Sequence, residues 1–280
     1  MALRDPGGAA DLTAKTVFVT GASRGIGLAI ALAVARCGAN VVIAAKTAAP
    51  HPKLPGTIHD AARQVEEAGG RALAVALDIR DDSAVEGAVA AAVERFGGID
   101  ACVNNAGAIF LAPTLDTPVK RFDLVHQVNA RGAFVVTRAC LPHLLKSANP
   151  HVLSICPPLS LEPRWYAPHL AYTLSKMGMS LGVLGLAEEF RGRVAVNALW
   201  PRTTIDTAAV RNLLGGEPLA RQSRLPAIMG DAAVAILTRA HAGCTGRFLL
   251  DEEVLRDEGV TDFEPYAVTP GGPLQTDLFV

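Results

Sequence analysis

The sequence predicts an α/β fold, a single-domain doubly wound parallel sheet of about seven strands, and three observations carry that expectation. Short β-branched apolar runs alternate with longer amphipathic ones along the chain. A glycine-rich turn joins the first apolar run to the first helical one. No Ser/Gly/Pro-rich linker interrupts the alternation, so one domain over 1–280 fits better than two.

The elements follow in order. Residues 17–20, 41–43, 73–77, 101–103, 152–155 and 194–199 read as parallel strands, because strands covered on both faces are apolar throughout instead of alternating. Residues 247–250 supply a seventh strand near the end. Helical lengths lie between them at 25–37, 58–68, 83–96, 121–145, 170–190 and 231–240. Right-handed crossovers then leave few topologies besides the doubly wound sheet. Residues 47–56 hold three prolines and predict a loop beyond the second strand. Residues 1–11 read as a loose leader without the apolar core of a secretory signal. The acid-, Pro- and Gly-bearing stretch 251–280 reads as a surface-hugging extension.

Composition narrows the function classes. Half of the residues are hydrophobic and 19% are charged, which suits a sizeable core and excludes disorder. The formal charge of −1 comes from interspersed acids and bases, so nothing electrostatic calls for a nucleic-acid partner. No apolar run approaches the roughly 18 residues of a membrane span. The five cysteines, Cys37, Cys102, Cys140, Cys156 and Cys244, include no C-x-x-C pair and read as reduced thiols of a cytoplasmic protein. The seven histidines show no ligand spacing, and no metal site is expected.

The turn Thr20-Gly-Ala-Ser-Arg-Gly-Ile-Gly27 carries the first chemistry. Gly21, Gly25 and Gly27 permit tight turning, close approach to a pyrophosphate, and close helix–strand packing, with Ser23, Arg24 and Ile26 between them. The helix N-terminus that follows favours an anion. This Rossmann-like arrangement predicts a dinucleotide. An acid about 20 residues further on would bond the ribose of NAD, but here stands Ala44-Ala-Lys46. Lys46 and Arg24 can neutralise a 2′-phosphate, so the expected cofactor is NADP(H). Asp78, followed by Ile79, either accepts from the adenine amino group or serves as an N-terminal acid for the next helix.

The glycine loop, Asn104-Asn-Ala-Gly107 and Tyr172-x-x-x-Lys176 together resemble the short-chain dehydrogenase/reductase family. More narrowly, Ala44 to Leu54, Cys156-Pro-Pro158, Ala187-Glu-Glu-Phe190, Asn197-Ala-Leu-Trp-Pro201 and Pro270-Gly-Gly-Pro-Leu-Gln275 resemble the hydroxysteroid dehydrogenase-like protein 2 group. The resemblance implies that Asn105, Ala106 and Gly107 place backbone beside the cofactor. It implies that Asn129 holds a water near the lysine, and that Ile205 and Thr207 hold the nicotinamide carboxamide. Pro201-Arg202 stands where the family has Pro-Gly, one residue further from that Ile. Members of the group in animals add a sterol-carrier domain and a peroxisomal address, and this chain is expected to be the dehydrogenase part alone. A homo-oligomer, tetramer or dimer, is implied through the helices flanking the tyrosine.

Tyr172 and Lys176 stand four apart on one helix and share a face. A phenol ionises near pH ~10, and a neighbouring ammonium together with a positively charged nicotinamide ring is expected to lower that value. The tyrosine would then exchange a proton with a carbonyl oxygen as hydride moves, with Lys176 also on the nicotinamide ribose. The expected substrate is a small carbonyl or secondary alcohol. It is lipid-like if residues 213–229, with Leu213, Leu214, Leu219, Leu225 and Ile228, form a lid instead of core. The family's usual Ser just past the fifth strand is replaced by Pro157, which has no donor. Ser160 is the nearby hydroxyl expected to take its place. The alternative reading is an NADP(H)-binding regulatory or scaffold protein with little turnover, which a missing serine would suit. Retention of both Tyr172 and Lys176 argues against it.

Overall fold

The computed structural model describes residues 10–51 and 54–280; most of the leader and the centre of the 47–56 loop lie outside the described residues. The chain alternates as expected: β1 Thr16–Thr20, α1 Gly25–Arg36, β2 Asn40–Ala45, α2 Ile58–Glu67, β3 Arg71–Ala76, α3 Asp82–Phe96, β4 Ala101–Asn104. Then come α4 Val119–His126, α5 Gly132–Leu144, β5 His151–Ile155, α6 Pro163–Tyr166, α7 Leu170–Glu189 and β6 Ala195–Trp200. α8 Gly216–Arg221, α9 Ala227–Thr238, β7 Phe248–Leu250 and α10 Asp251–Asp257 complete it.

All seven strands are parallel, in the order β3-β2-β1-β4-β5-β6-β7. The winding reverses between β1 and β4, and such a switch point opens a crevice beyond the carboxyl ends of the strands. Successive side chains feed two cores. Val17 and Val19 join Ile30, Leu153 and Met229 on one face, while Phe18 joins Val136, Leu144 and Val152 on the other. The central strands are therefore buried throughout, whereas β3 and β7 at the edges are only partly covered.

Three departures bear on function. The helix expected over 121–145 is interrupted, because Gln127–Arg131 forms one π-helical turn between α4 and α5. α7, at 20 residues, is long and apolar enough to cross a membrane, contrary to the expectation that no run comes close. It is a core helix of the fold, with Ala171, Tyr172, Thr173, Ser175 and Lys176 all buried. The 251–280 stretch does not merely hug the surface: Phe263, Tyr266 and Phe279 belong to the core.

Candidate active site

β1 ends at Thr20 and the chain turns at once, because Gly21 takes φ +67° and Gly25 φ +58°, where glycine meets no Cβ clash. Gly27 serves close approach instead. A Cβ there would lie 2.5 Å from the Gly21 carbonyl oxygen, and closer still to Asn105 Nδ2. A Cβ on Gly21 would sit 2.9 Å from Ala106 Cα. The turn is thus pressed onto the segment after β4. Asn105 Nδ2 donates to the carbonyls of Thr20 (2.8 Å) and Gly21 (3.2 Å), and Thr20 Oγ1 accepts from the amides of Asn105 and Ala106. α1 begins without a side-chain cap, so the first amides of the helix find no side-chain acceptor at Arg24. Opposite it, Thr207 Cγ2 would be 3.4 Å from a Cβ on Gly25. This uncapped helix end above a cradle that a Cβ would fill fits the pyrophosphate of a dinucleotide. Ser23 is buried beneath the loop, and Ile26 is half-buried.

The two cations expected at a 2′-phosphate have partners in the protein. Arg24 donates to the carbonyls of Pro55 (2.8 Å) and Gly56 (2.9 Å), and exposed Lys46 pairs with Asp78 at 3.1 Å. Asp78 is gripped by Arg80 at 2.6 Å, and that contact, with Lys46 assisting, holds its carboxyl far below the usual range. The helix-acid reading of Asp78 is corrected: Asp81 caps α3, through the Ala84 amide. Ile79 is buried against Gly132, where it leaves no room for a Cβ.

Beyond Ala106 the same segment reaches the second half of the site. A Cβ on Gly107 would lie 3.4 Å from Asn129 Oδ1 and 3.9 Å from Lys176 Nζ. Asn129 sits fully buried in the π turn, and its amide is spent on protein groups. Oδ1 accepts from the Ala108 amide (2.8 Å), while Nδ2 donates to Ala108 O (3.0 Å) and Ser175 Oγ (2.9 Å). It ties the β4 loop to α7. A π turn of this kind widens the helix locally and recurs at functional sites.

Tyr172 and Lys176 are buried on α7 at the ends of β5 and β6. The lysine ammonium donates to Ile155 O at 2.9 Å and lies 5.2 Å from the Trp200 ring centroid. Burial pulls Lys176 down to about 8. Within the protein itself the phenol is raised and not lowered. Burial pushes Tyr172 above the usual tyrosine range, and the Asp277 carboxylate adds to it. The cause is desolvation of the phenolate, while the Lys176 ammonium is directed at Ile155 O.

The missing serine leaves a visible mark. Pro157 is buried, and its carbonyl accepts from Ser180 Oγ at 2.7 Å. The Cys156 thiol beside it is pushed up to about 11 by burial. Ser160 is half-buried within its own loop, where its Oγ accepts from the Glu162 amide (3.3 Å) and its carbonyl from Tyr166 Oη (2.7 Å). Ile205 is buried beside Arg224, with which it forms a bridge, and Thr207 Oγ1 accepts from the Val210 amide at 3.4 Å. In the expected lid, Leu213 is 69% exposed whereas Ile228 is fully buried core. Four residues here escaped the sequence reading: Trp165, Trp200, Asp277 and Phe279. Two tryptophans in a chain with only 5% aromatics were the one available signal.

Comparison with known proteins agrees with the fold. A family model described as short chain dehydrogenase matches residues 15–217. The chain is 56% identical to hydroxysteroid dehydrogenase-like protein 2 of Danio rerio, over 96% of this chain and 64% of that protein. It thus spans under two thirds of that relative's length. Among solved structures, a putative dehydrogenase from Xanthomonas campestris superposes with a TM-score of 0.94 at 60% identity, covering 96% of this chain and 99% of that one. A short chain dehydrogenase from Mycobacterium thermoresistibile gives 0.91 at 52% identity, with 96% of each chain covered.

Proposed function

Since the chain belongs to the short-chain dehydrogenase family, we propose that it is an NADP(H)-dependent oxidoreductase interconverting a carbonyl and a secondary alcohol on a lipid-like small molecule. One observation supports this above the rest: the crevice is continuous. Gly21 is pressed on Ala106, Gly107 lies beside Asn129 and Lys176, and Lys176 shares a helix face with Tyr172.

The nicotinamide, when bound, supplies or takes up the hydride. Tyr172 carries the proton. Its buried phenol stays protonated well past neutral pH, so Oη donates to an oxygen gaining negative charge and recovers the proton in reverse. Lys176 sets a positive charge beside that exchange, where little water competes with it. Asn129 keeps the β4 loop and α7 in register. Ser160 is the hydroxyl proposed for the substrate oxygen in place of Pro157. Lys46 and Arg24 favour the phosphorylated dinucleotide. Leu174, Leu181 and Leu184 on α7, with Phe122 on α4, are exposed and apolar, which suits a homo-oligomer built on these helices. The free cysteines suit a cytoplasmic setting.

The test is NADPH consumption over aldehydes, ketones and fatty acyl carbonyls, beside calorimetric NADPH binding. Turnover in the wild type, lost in Tyr172→Phe with affinity kept within about twofold, is the expected result. Tight NADPH binding without turnover of any panel member would refute the enzyme and leave a nucleotide-binding regulator.

A further inference from the structure

His169 stands immediately before α7, about one helical turn ahead of Tyr172. Its ring centroid lies 6.4 Å from that of the Tyr172 phenol, with the planes tilted by 58°. The residue is 8% exposed, and its Nε2 is buried with no hydrogen-bond partner. A side chain at this position ordinarily turns back onto the first amides of the helix, and that of His169 does not. The ring spends nothing on the helix that it opens.

The segment packed beside it leaves Nε2 open as well. α6 folds back onto the start of α7 through backbone carbonyls: Tyr166 O accepts from the His169 amide (3.3 Å), and Trp165 O from Thr173 Oγ1. The side chains of α6 are engaged elsewhere, with Tyr166 Oη on Ser160 O (2.7 Å), Arg164 on Glu162, and Trp165 against Phe279. Burial lowers the imidazole below the usual histidine range, so the ring is neutral and has one N–H to give. A buried nitrogen left unpaired costs stability, and the cost is recovered when a ligand pairs with it. His126 and His151 also bury an unpaired ring nitrogen. However, His126 stacks on Phe122, and His151 opens β5 at the end remote from Ile155 and bonds Arg239 O. Among the described residues, it is His169 whose ring lies against the Tyr172 ring.

We propose that His169 is a further catalytic residue, whose Nε2–H donates to the reacting oxygen of the substrate beside the Tyr172 phenol. This rests on the reading of Tyr172 as proton carrier given above and adds a contact outside the family motif. Pro157 offers no donor from the loop after β5, and Ser160 in that loop has its Oγ turned to the Glu162 amide (3.3 Å). His169 adds a donor from the start of α7, the helix that already holds Tyr172 and Lys176. As hydride reaches the carbonyl carbon, the π pair of the C=O bond moves onto oxygen. Tyr172 Oη gives its proton to that oxygen, while the His169 proton stays on Nε2 and steadies the growing charge. In reverse, the same N–H holds the alcohol oxygen as Tyr172 takes its proton back.

Two substitutions separate the nitrogen from the ring. His169→Phe keeps an aromatic ring against Tyr172 and removes the donor, whereas His169→Gln sets an amide N–H near the Nε2 position. In the NADPH-consuming assay, His169→Phe should lower kcat by ~10²-fold with calorimetric NADPH affinity kept within about twofold, and His169→Gln should recover about tenfold of the loss. An unaltered kcat in His169→Phe would overturn the proposal, and so would an equal loss in both variants, which marks a packing role. A second readout needs no turnover and covers the case of a variant that folds poorly. Full-length protein labelled with 15N-histidine, its His169 signal assigned by loss in His169→Phe, is titrated with cyclohexanone in the presence of NADP⁺, an oxidised pair that cannot react. The Nε2 resonance should shift in the wild type and equally in Ser160→Ala. A resonance unmoved by cyclohexanone would overturn the donor role. Absence of turnover across the carbonyl panel would overturn the proposed reaction and leave this titration readable.

Discussion

Replacing Gly27 by alanine adds one methyl group to the phosphate loop, and the structure sets what that methyl must displace. One obstacle is the Gly21 carbonyl oxygen, 2.5 Å from the new Cβ, nearly an ångström inside ordinary contact. Gly21 cannot retreat, since its own Cα faces Ala106 and its φ is already +67°. The other obstacle, Asn105 Nδ2, can move only by releasing the carbonyls of Thr20 and Gly21. Overpacking a tight site costs ~1–3 kcal/mol, and each of the two lost hydrogen bonds ~0.5–1.5 kcal/mol, so Gly27→Ala should destabilise by roughly 2–6 kcal/mol. At about 2–4 °C per kcal/mol for a chain of this size, the melting temperature should fall by roughly 4–24 °C. Gly87, in the middle of α3, supplies the opposite control. Its Cβ would meet nothing within 4 Å, so Gly87→Ala should stabilise by ~0.5–1 kcal/mol through helix propensity. Scanning calorimetry on both variants decides the matter. A Gly27→Ala protein that melts as high as Gly87→Ala would refute the packing reasoning.

Three further outcomes are expected. Calorimetry should find NADPH bound more tightly than NADH, and Lys46→Ala should cut NADPH affinity by roughly tenfold, or ~1.5 kcal/mol, with little effect on NADH; equal affinities in the wild type would defeat the cofactor assignment. Ser160→Ala should lower kcat by ~10²-fold if its hydroxyl bonds the reacting oxygen, and an unaltered kcat would remove Ser160 from the centre. Burial pushes Asp251 up to about 7, above its unfolded value, so the folded state holds an extra proton between the two values and loses stability as pH rises through that window. Asp251→Asn keeps the Oδ1 that accepts from Arg202 and Glu252, and should gain on the wild type by on the order of 3 kcal/mol between about pH 5 and pH 8. Parallel pH dependences in thermal melts would contradict this.

The parts of the molecule legible in the sequence are those encoded by local pattern. Apolar runs such as Val17-Phe-Val19 announce a strand buried on both faces, and the spacing of Gly21, Gly25 and Gly27 announces the turn that follows. Tyr172 and Lys176 share a helix face because their spacing matches the helical repeat. What escaped depends on contacts between distant segments. The π turn around Asn129 has no periodic signature, and the contacts that accompany it join distant segments, with the Asn129 amide bonded to Ala108 and Ser175. Half of the fate of Asp78 lay in the local sequence, since Arg80 stands two residues along, but Lys46 reaches it only once β2 and β3 pair. The Pro- and Gly-bearing composition of 251–280 pointed to a surface role, yet the last turn of chain buries Phe279 against two indoles. Within the protein itself the Tyr172 phenol is raised, because desolvation is set by the assembled core and not by a residue's neighbours in sequence.

The seat of Phe279 has an optical consequence. The chain contains two tryptophans, and both Trp165 and Trp200 touch that one ring. Tryptophan emission, excited beyond the tyrosine band, therefore comes wholly from the place where the C-terminal strap, residues 275–280, docks. Trp200, buried and donating to Leu278 O, should emit toward the blue while the strap is down, and both indoles should shift to the red when it lifts into water. The strap can thus be followed in real time, in unlabelled protein, as ligands or denaturant are added.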